Sequence, residues 1–139
     1  MRWVLLLLGI SLLVLLVVGC ASKPSKTEEG AEAQEKTIFT KISAAEAKKM
    51  MDAGGVTVVD VRAPEEFSEG HISGAVNIPN EMIAAEAAKV LTDKDAVLLV
   101  YCRSGNRSAQ SARTLRSLGY TRIYDFGGIV NWPYEVVRD

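Results

Sequence analysis

Residues Ala96–Ser108 read AVLLVYCRSGNRS, and the fold turns on how they are read. Ala96–Tyr101 is apolar with little alternation, which suits a strand covered on both faces, as in a parallel sheet. The run stops at Cys102. Arg103-Ser104-Gly105-Asn106 is loop chemistry: Gly105 takes the backbone angles a tight turn demands, and Asn106 is the non-glycine type that best tolerates left-handed angles. A helix is expected after the loop, with an apolar side of Ala109, Ala112, Leu115 and Leu118 spaced by three and Gly119 as its C-terminal cap.

The same pattern recurs outward from this segment. Val56–Val61 is a second β-branched run. Ser43-Ala44-Ala45-Glu46 has the form of a capping box, so a helix should start at Ser43 and stop at Gly54-Gly55. Ile38-Phe39 begins a short strand, and Thr121–Phe126 forms another. Between the two buried runs lie a short helical turn near Pro64–Phe67, a brief strand near Ala75–Ile78 and a helix from about Asn80 to Val90. Gly127-Gly128 should turn the chain into a last short helix around Ile129–Val137, with Pro133 in its first turns. Strands alternating with helices predict an α/β domain with a mostly parallel sheet.

The N-terminus reads differently. Trp3–Val18 is an apolar run interrupted only by Gly9 and Ser11, after the positive start Met1-Arg2. It is short for a permanent span, which needs about 20 apolar residues. It ends in Val17-Val18-Gly19-Cys20, which resembles the bacterial lipobox, where the cysteine receives a diacylglyceryl group. Residues 1–19 are therefore expected to be a lipoprotein signal peptide and Cys20 the lipidation site. The bland alternative is an uncleaved membrane helix with an incidental cysteine. Residues 20–36, rich in Lys, Glu, Ser and Ala, have no core-forming side chains and are expected to be a flexible tether. The folded domain is expected over 37–139. The resemblance implies an extracytoplasmic protein anchored to a bacterial membrane, at the periplasmic face or the cell surface.

The chain of 139 residues holds one ordinary domain, and its net charge of −1 comes with no basic stripe, so nucleic acid is not an expected partner. With Cys20 lipidated, Cys102 has no cysteine partner within the chain. A cysteine at the C-terminal end of a parallel strand faces loop amides and a helix N-terminus, both of which favour negative charge. Arg103 and Arg107 add full positive charges. Together these stabilise a thiolate over a thiol, giving a nucleophile that needs no separate base. Ser104 and Ser108 can donate to an anion, and Ser108 can also help to start the helix.

At this loop the sequence resembles the rhodanese family. The resemblance extends to Val58-Val59-Asp60-Val61-Arg62, Glu65-Glu66-Phe67, Gly70-His71-Ile72-Ser73-Gly74-Ala75-Val76-Asn77-Ile78-Pro79, and Gly127-Gly128 with Trp132, about residues 38–135 in all. It implies a five-stranded sheet with helices on both faces and transfer of a sulfane sulfur. Cys102 would take the outer sulfur of thiosulfate or a persulfide donor, hold it as a persulfide, and pass it to a thiol or cyanide. Arg103, Ser104, Gly105, Asn106, Arg107 and Ser108 would bind the sulfur-containing anion, and no metal or organic cofactor is required.

Each residue also has a plainer reading. Arg107 could make a structural ion pair, leaving Arg103 to face the substrate. Asp60 and Arg62 are expected to tie loops together near the site rather than to bind substrate, and Glu66 is open between the same roles. His71, the only histidine, is expected to pack and bond to backbone. A cysteine phosphatase or arsenate reductase would have five residues between cysteine and arginine, whereas four separate Cys102 from Arg107. A membrane-tethered persulfide carrier or sensor with slow turnover needs the same loop as the enzyme. A monomer is the default expectation.

Overall fold

The computed structural model describes residues 37–139. The expected signal peptide, Cys20 and the expected tether lie outside the described residues. Strand β1 (Ile38–Lys41) leads to helix α1 (Ala44–Ala53), β2 (Val56–Asp60), α2 (Pro64–Glu69) and β3 (Val76–Asn77). A 3-10 turn at Asn80–Met82 opens α3 (Ile83–Val90), and then come β4 (Val97–Cys102), α4 (Asn106–Ser117), β5 (Arg122–Gly128) and a 3-10 turn at Ile129–Asn131. The five strands form one sheet in the order β1-β5-β4-β2-β3, and every pairing is parallel. β4 is central, so the C-terminal end that carries Cys102 lies in the middle of the sheet edge.

The capping box forms as expected. Ser43 N–H donates to Glu46 Oε2 at 2.8 Å, and Glu46 N–H donates to Ser43 Oγ at 3.2 Å. The unalternating runs are buried on both sides. Leu98, Val100 and Cys102 of β4 join a core with Ile83 and Ala87 of α3 and Ala112 and Leu115 of α4. Leu99 and Tyr101 join the opposite core, with Ala47 of α1, Ile72 and Phe126. Cys102 therefore points to the α3/α4 side.

Two expectations about helices are corrected. The buried residues of α4 are Ser108, Ser111, Ala112 and Leu115, while Ala109 and Leu118 are half-buried. A strict spacing of three drifts off a helix with 3.6 residues per turn, and the true inner face runs i, i+3, i+4, i+7. Two of its members are serines, whose burial is met by hydrogen bonds: Ser111 Oγ donates to Asn80 Oδ1 at 2.6 Å and Ser108 Oγ to Asp125 Oδ1 at 2.7 Å. The expected helix over Ile129–Val137 is only the turn Ile129–Asn131. Pro133 disfavours helical angles in the residue before it, and Trp132 is extended with φ −85° and ψ 109°. The chain then runs back as an extended strap, with His71 N–H donating to Val137 O at 2.9 Å and Val137 N–H to His71 O at 2.8 Å.

Candidate active site

Cys102 is the last residue of β4 and is 1 % exposed. The loop Arg103–Gly105 wraps around it. Gly105 takes a left-handed φ of 106° as the N-cap of α4, so Asn106 has no such duty and is already helical. That turn aims Gly105 N–H at Cys102 Sγ, 3.0 Å away. Burial pushes the thiol up, but the amide and hydroxyl of Ser108 and the amides of Gly105 and Ser104 pull it down. The net shift is downward, which is the direction that favours thiolate.

The loop is pressed from behind by β5. The register of β5 on β4 slips by one residue, from Val100↔Asp125 to Tyr101↔Gly127 and Cys102↔Gly128. Gly128 thereby comes against the loop, and a Cβ there would stand 2.3 Å from Arg103 O and 2.7 Å from Ser104 Cα. No side chain fits at this contact.

The two arginines diverge. Arg107 makes a two-pronged pair with Glu66 of α2, Nη1 to Oε2 at 2.6 Å and Nη2 to Oε1 at 2.9 Å. The Arg107 guanidinium is the main reason that the Glu66 carboxyl is held down to about 2. Arg103 is exposed, and its side chain has no hydrogen bond or salt bridge among the described residues. Ser104 and Asn106 are likewise exposed, whereas Ser108 is fully buried and turned toward Asp125.

Asp60 and Arg62 are buried and bond to each other, with Arg62 Nη2 2.6 Å from Asp60 Oδ2 and 2.7 Å from Gly70 O. Asn77 Nδ2 donates to the carbonyls of both, at 3.1 Å and 2.9 Å. This network ties the ends of β2 and β3 to the segment after α2. His71 stacks on Phe67 with ring centroids 3.7 Å apart, and its Nδ1 lies 2.9 Å from Phe67 O. A cavity of about 340 Å³ lies elsewhere, between Lys48, Met51 and Asp52 of α1 and Trp132 and Tyr134 of the strap, and no residue of the cysteine loop lines it.

For three site residues the sequence reading fell short of what the structure shows. Glu66 as the partner of Arg107 was not legible, because 41 positions separate them. Gly128 was read as a turn and as part of the closing motif of the resemblance, but not as the point where β5 meets the cysteine loop. Asp125 was passed over, although a charge between Tyr124 and Phe126 in a strand heading for the core was a usable signal.

A family model described as a rhodanese-like domain matches residues 43–134. Thiosulfate sulfurtransferase PspE of Escherichia coli (strain K12) is 37 % identical over 71 residues, 51 % of this chain and 68 % of that protein. Thiosulfate sulfurtransferase GlpE of Stutzerimonas stutzeri (strain A1501) is 34 % identical over 104 residues, 74 % of this chain and 93 % of that protein. Among solved structures, a rhodanese-related protein from Thermoplasma volcanium aligns with a TM-score of 0.64 at 32 % identity, covering 73 % of this chain and 100 % of that one. With a five-stranded parallel sheet and a cysteine loop at the end of its central strand, this chain belongs to the rhodanese-like domain family.

Proposed function

We propose that this protein is a sulfurtransferase that moves a sulfane sulfur through a persulfide on Cys102. The observation that carries the reading is the seat of the sulfur: Sγ at the end of the central strand, accepting from Gly105 N–H at 3.0 Å, with its thiol pulled down by the surrounding amides. The relatives named thiosulfate sulfurtransferase support the choice of donor.

The reaction has two displacements. The Cys102 thiolate attacks the outer sulfur of thiosulfate, an S–S bond forms, and the bond to the sulfonate breaks with its electron pair leaving as sulfite. An acceptor thiolate or cyanide then attacks the outer sulfur, and the electron pair of the breaking bond returns to Cys102. Arg103 receives the anionic donor. Arg107, anchored on Glu66, adds positive field and holds α4 against α2. The loop amides hold the negative charge on sulfur in both states. Asp60 and Arg62 keep the neighbouring strand ends in place.

Localisation belongs to the same proposal: Cys20 carries lipid, and the domain works as a monomer anchored to a bacterial membrane, at the periplasmic face or the cell surface. Palmitate labelling of wild type but not Cys20→Ala is the expected result, and equal labelling of both would remove the anchor.

The activity is tested with the full chain, reduced and mixed with thiosulfate, then with cyanide. Wild type should gain the mass of one sulfur atom and release thiocyanate over many turnovers, while Cys102→Ser does neither. Loading without turnover assigns a persulfide carrier instead of an enzyme. No loading from thiosulfate, polysulfide or glutathione persulfide overturns sulfur transfer altogether.

A further inference from the structure

The cavity of about 340 Å³ between α1 and the strap plays no part in the two displacements. Its volume lies in the range of small-molecule sites, about 300–1,000 Å³. It exists because the chain after Gly128 does not coil into a long helix. Pro133 holds Trp132 extended, and the strap passes beside α1 with the space left between them.

One wall of this space is aromatic. Trp132 is backed by Phe126, with ring centroids 5.5 Å apart. It meets Tyr134 steeply, with centroids 4.9 Å apart and an angle of 71° between the rings. The two rings therefore form a corner, and Met51 and Ile72 supply further apolar surface.

The charges of the lining favour a cation. Lys48 contributes one positive charge, and Asp52 and Glu135 contribute two negative ones, which leaves −1. Lys48 Nζ bonds to Asp52 Oδ1 and lies 5.7 Å from the centroid of the Tyr134 ring. That is within the reach of about 6 Å at which a cation is attracted to an aromatic face. The corner thus already receives an ammonium, one supplied by the protein itself. Glu135 has no ionic partner among the described residues. The other cation of the strap, Arg138, is engaged elsewhere, donating from Nε to Glu69 O at 2.9 Å.

We propose that this cavity binds a small organic cation, a methylated ammonium group, which displaces Lys48 Nζ from Tyr134 and is held by Trp132 and Tyr134 with Asp52 and Glu135 as counter-charges. Exchange is open to Lys48 because its side chain is 36 % exposed and can withdraw into water. It is also favourable. A lysine ammonium is compact and strongly hydrated, whereas a methylated one gives up less water on entering an aromatic corner. The inference goes beyond sulfur transfer and does not rest on it, since no residue of the cysteine loop lines the cavity.

The experiment is a calorimetric titration of the full chain, in a nonionic detergent, with choline chloride against sodium chloride at equal ionic strength. Wild type should bind choline saturably, with a Kd of about 1 mM. The neutral analogue 3,3-dimethyl-1-butanol, which has the same shape without the charge, should bind at least about tenfold more weakly. Tyr134→Leu should weaken choline about fivefold and Glu135→Gln about threefold. Lys48→Met should tighten it about fivefold, because the resident ammonium is gone and Asp52 is left without its partner. No saturation by choline or tetramethylammonium below about 50 mM overturns the proposal. So does equal binding of the neutral analogue, or a Lys48→Met chain that binds choline no better than wild type. Should Tyr134→Leu fail to fold, Lys48→Met and the neutral analogue decide between them. Glycerophosphocholine separates the sources: binding equal to choline supports a site for a lipid headgroup, and exclusion by its phosphate supports one for a free ammonium compound. Cys102→Ser should bind choline as wild type does, so a chain that takes no sulfur from any donor would sink the proposed function and leave this site standing.

Discussion

Adding a single methyl group at Gly128 should disable the site without touching a charged or reacting atom. Gly128 has φ −120° and ψ 141°, ordinary extended angles, so alanine meets no backbone strain there. The obstacle is space. The new Cβ would lie 2.3 Å from Arg103 O, 2.7 Å from Ser104 Cα and 2.8 Å from Arg103 C, all inside the 3.0 Å that real Cβ contacts keep. All three are backbone atoms, so no side chain can swing away. Either the cysteine loop or the end of β5 must move by most of an ångström. Overpacking of this kind costs about 1–3 kcal/mol. A destabilisation of 1 kcal/mol lowers the melting temperature of a domain this size by about 4–8 °C. The loss of activity should be larger, because a misplacement of about 1 Å at a reacting group is worth about 100-fold in rate. Gly127 supplies the control. It has a positive φ of 86° but nothing within 4 Å of its would-be Cβ. Gly127→Ala should therefore cost about 1–2 kcal/mol through left-handed strain. The assay is thiosulfate:cyanide turnover beside calorimetric melting for both variants. Gly128→Ala with activity within twofold of wild type would refute the argument, as would equal damage to activity by both substitutions.

Other expectations follow from the charges. Arg103→Ala should raise the KM for thiosulfate about tenfold, the scale of one lost charge-assisted hydrogen bond, and leave the melting temperature unchanged. Arg107→Ala should also lower the melting temperature, since it strands Glu66; equal melting of the two variants would contradict the split of roles drawn from their contacts. The Glu66 carboxyl is depressed from 4.5 to about 2, so its pairing contributes stability that is present above 4.5 and lost as pH falls toward 2. Urea midpoints at pH 6 and pH 3 should thus converge more in Glu66→Gln than in wild type, and parallel loss in both would remove Glu66 from acid sensitivity. The Cys102 thiol is also depressed. Its contribution is complete above the unfolded value of about 8.5 and fades as pH falls through the folded value. Wild type should therefore gain stability between those two values relative to Cys102→Ser, and a pH-independent difference between the two would contradict a lowered thiol.

Much of the fold was legible because its signals are local. The capping box at Ser43 and Glu46 spans three residues, and the apolar runs Val56–Val61 and Ala96–Tyr101 need only their own composition to read as buried strands. The chemistry was legible for the same reason: Cys102, Gly105 and the two arginines lie within six positions, in a turn whose backbone geometry a glycine sets. The C-terminal helix was misread because apolar periodicity does not register that Pro133 keeps Trp132 extended, nor that His71 offers the backbone groups to which Val137 pairs. The inner face of α4 was misread because Ser108 and Ser111 are polar. Burial of a serine depends on whether a partner waits inside, and Asp125 and Asn80 come from other elements.

Sequence alone thus determined the alternation of strands and helices and the place of the nucleophile, since backbone propensity and local turn chemistry act over a few residues. Tertiary structure decided which arginine is anchored on Glu66, why residue 128 has no side chain, and where the Ser108 proton goes. Those outcomes depend on distances between segments 17 or more residues apart in the chain, one of them set by a one-residue slip in strand register. Side-chain pairing and close packing act only over a few ångströms, so they are settled only once the sheet has brought those segments into contact.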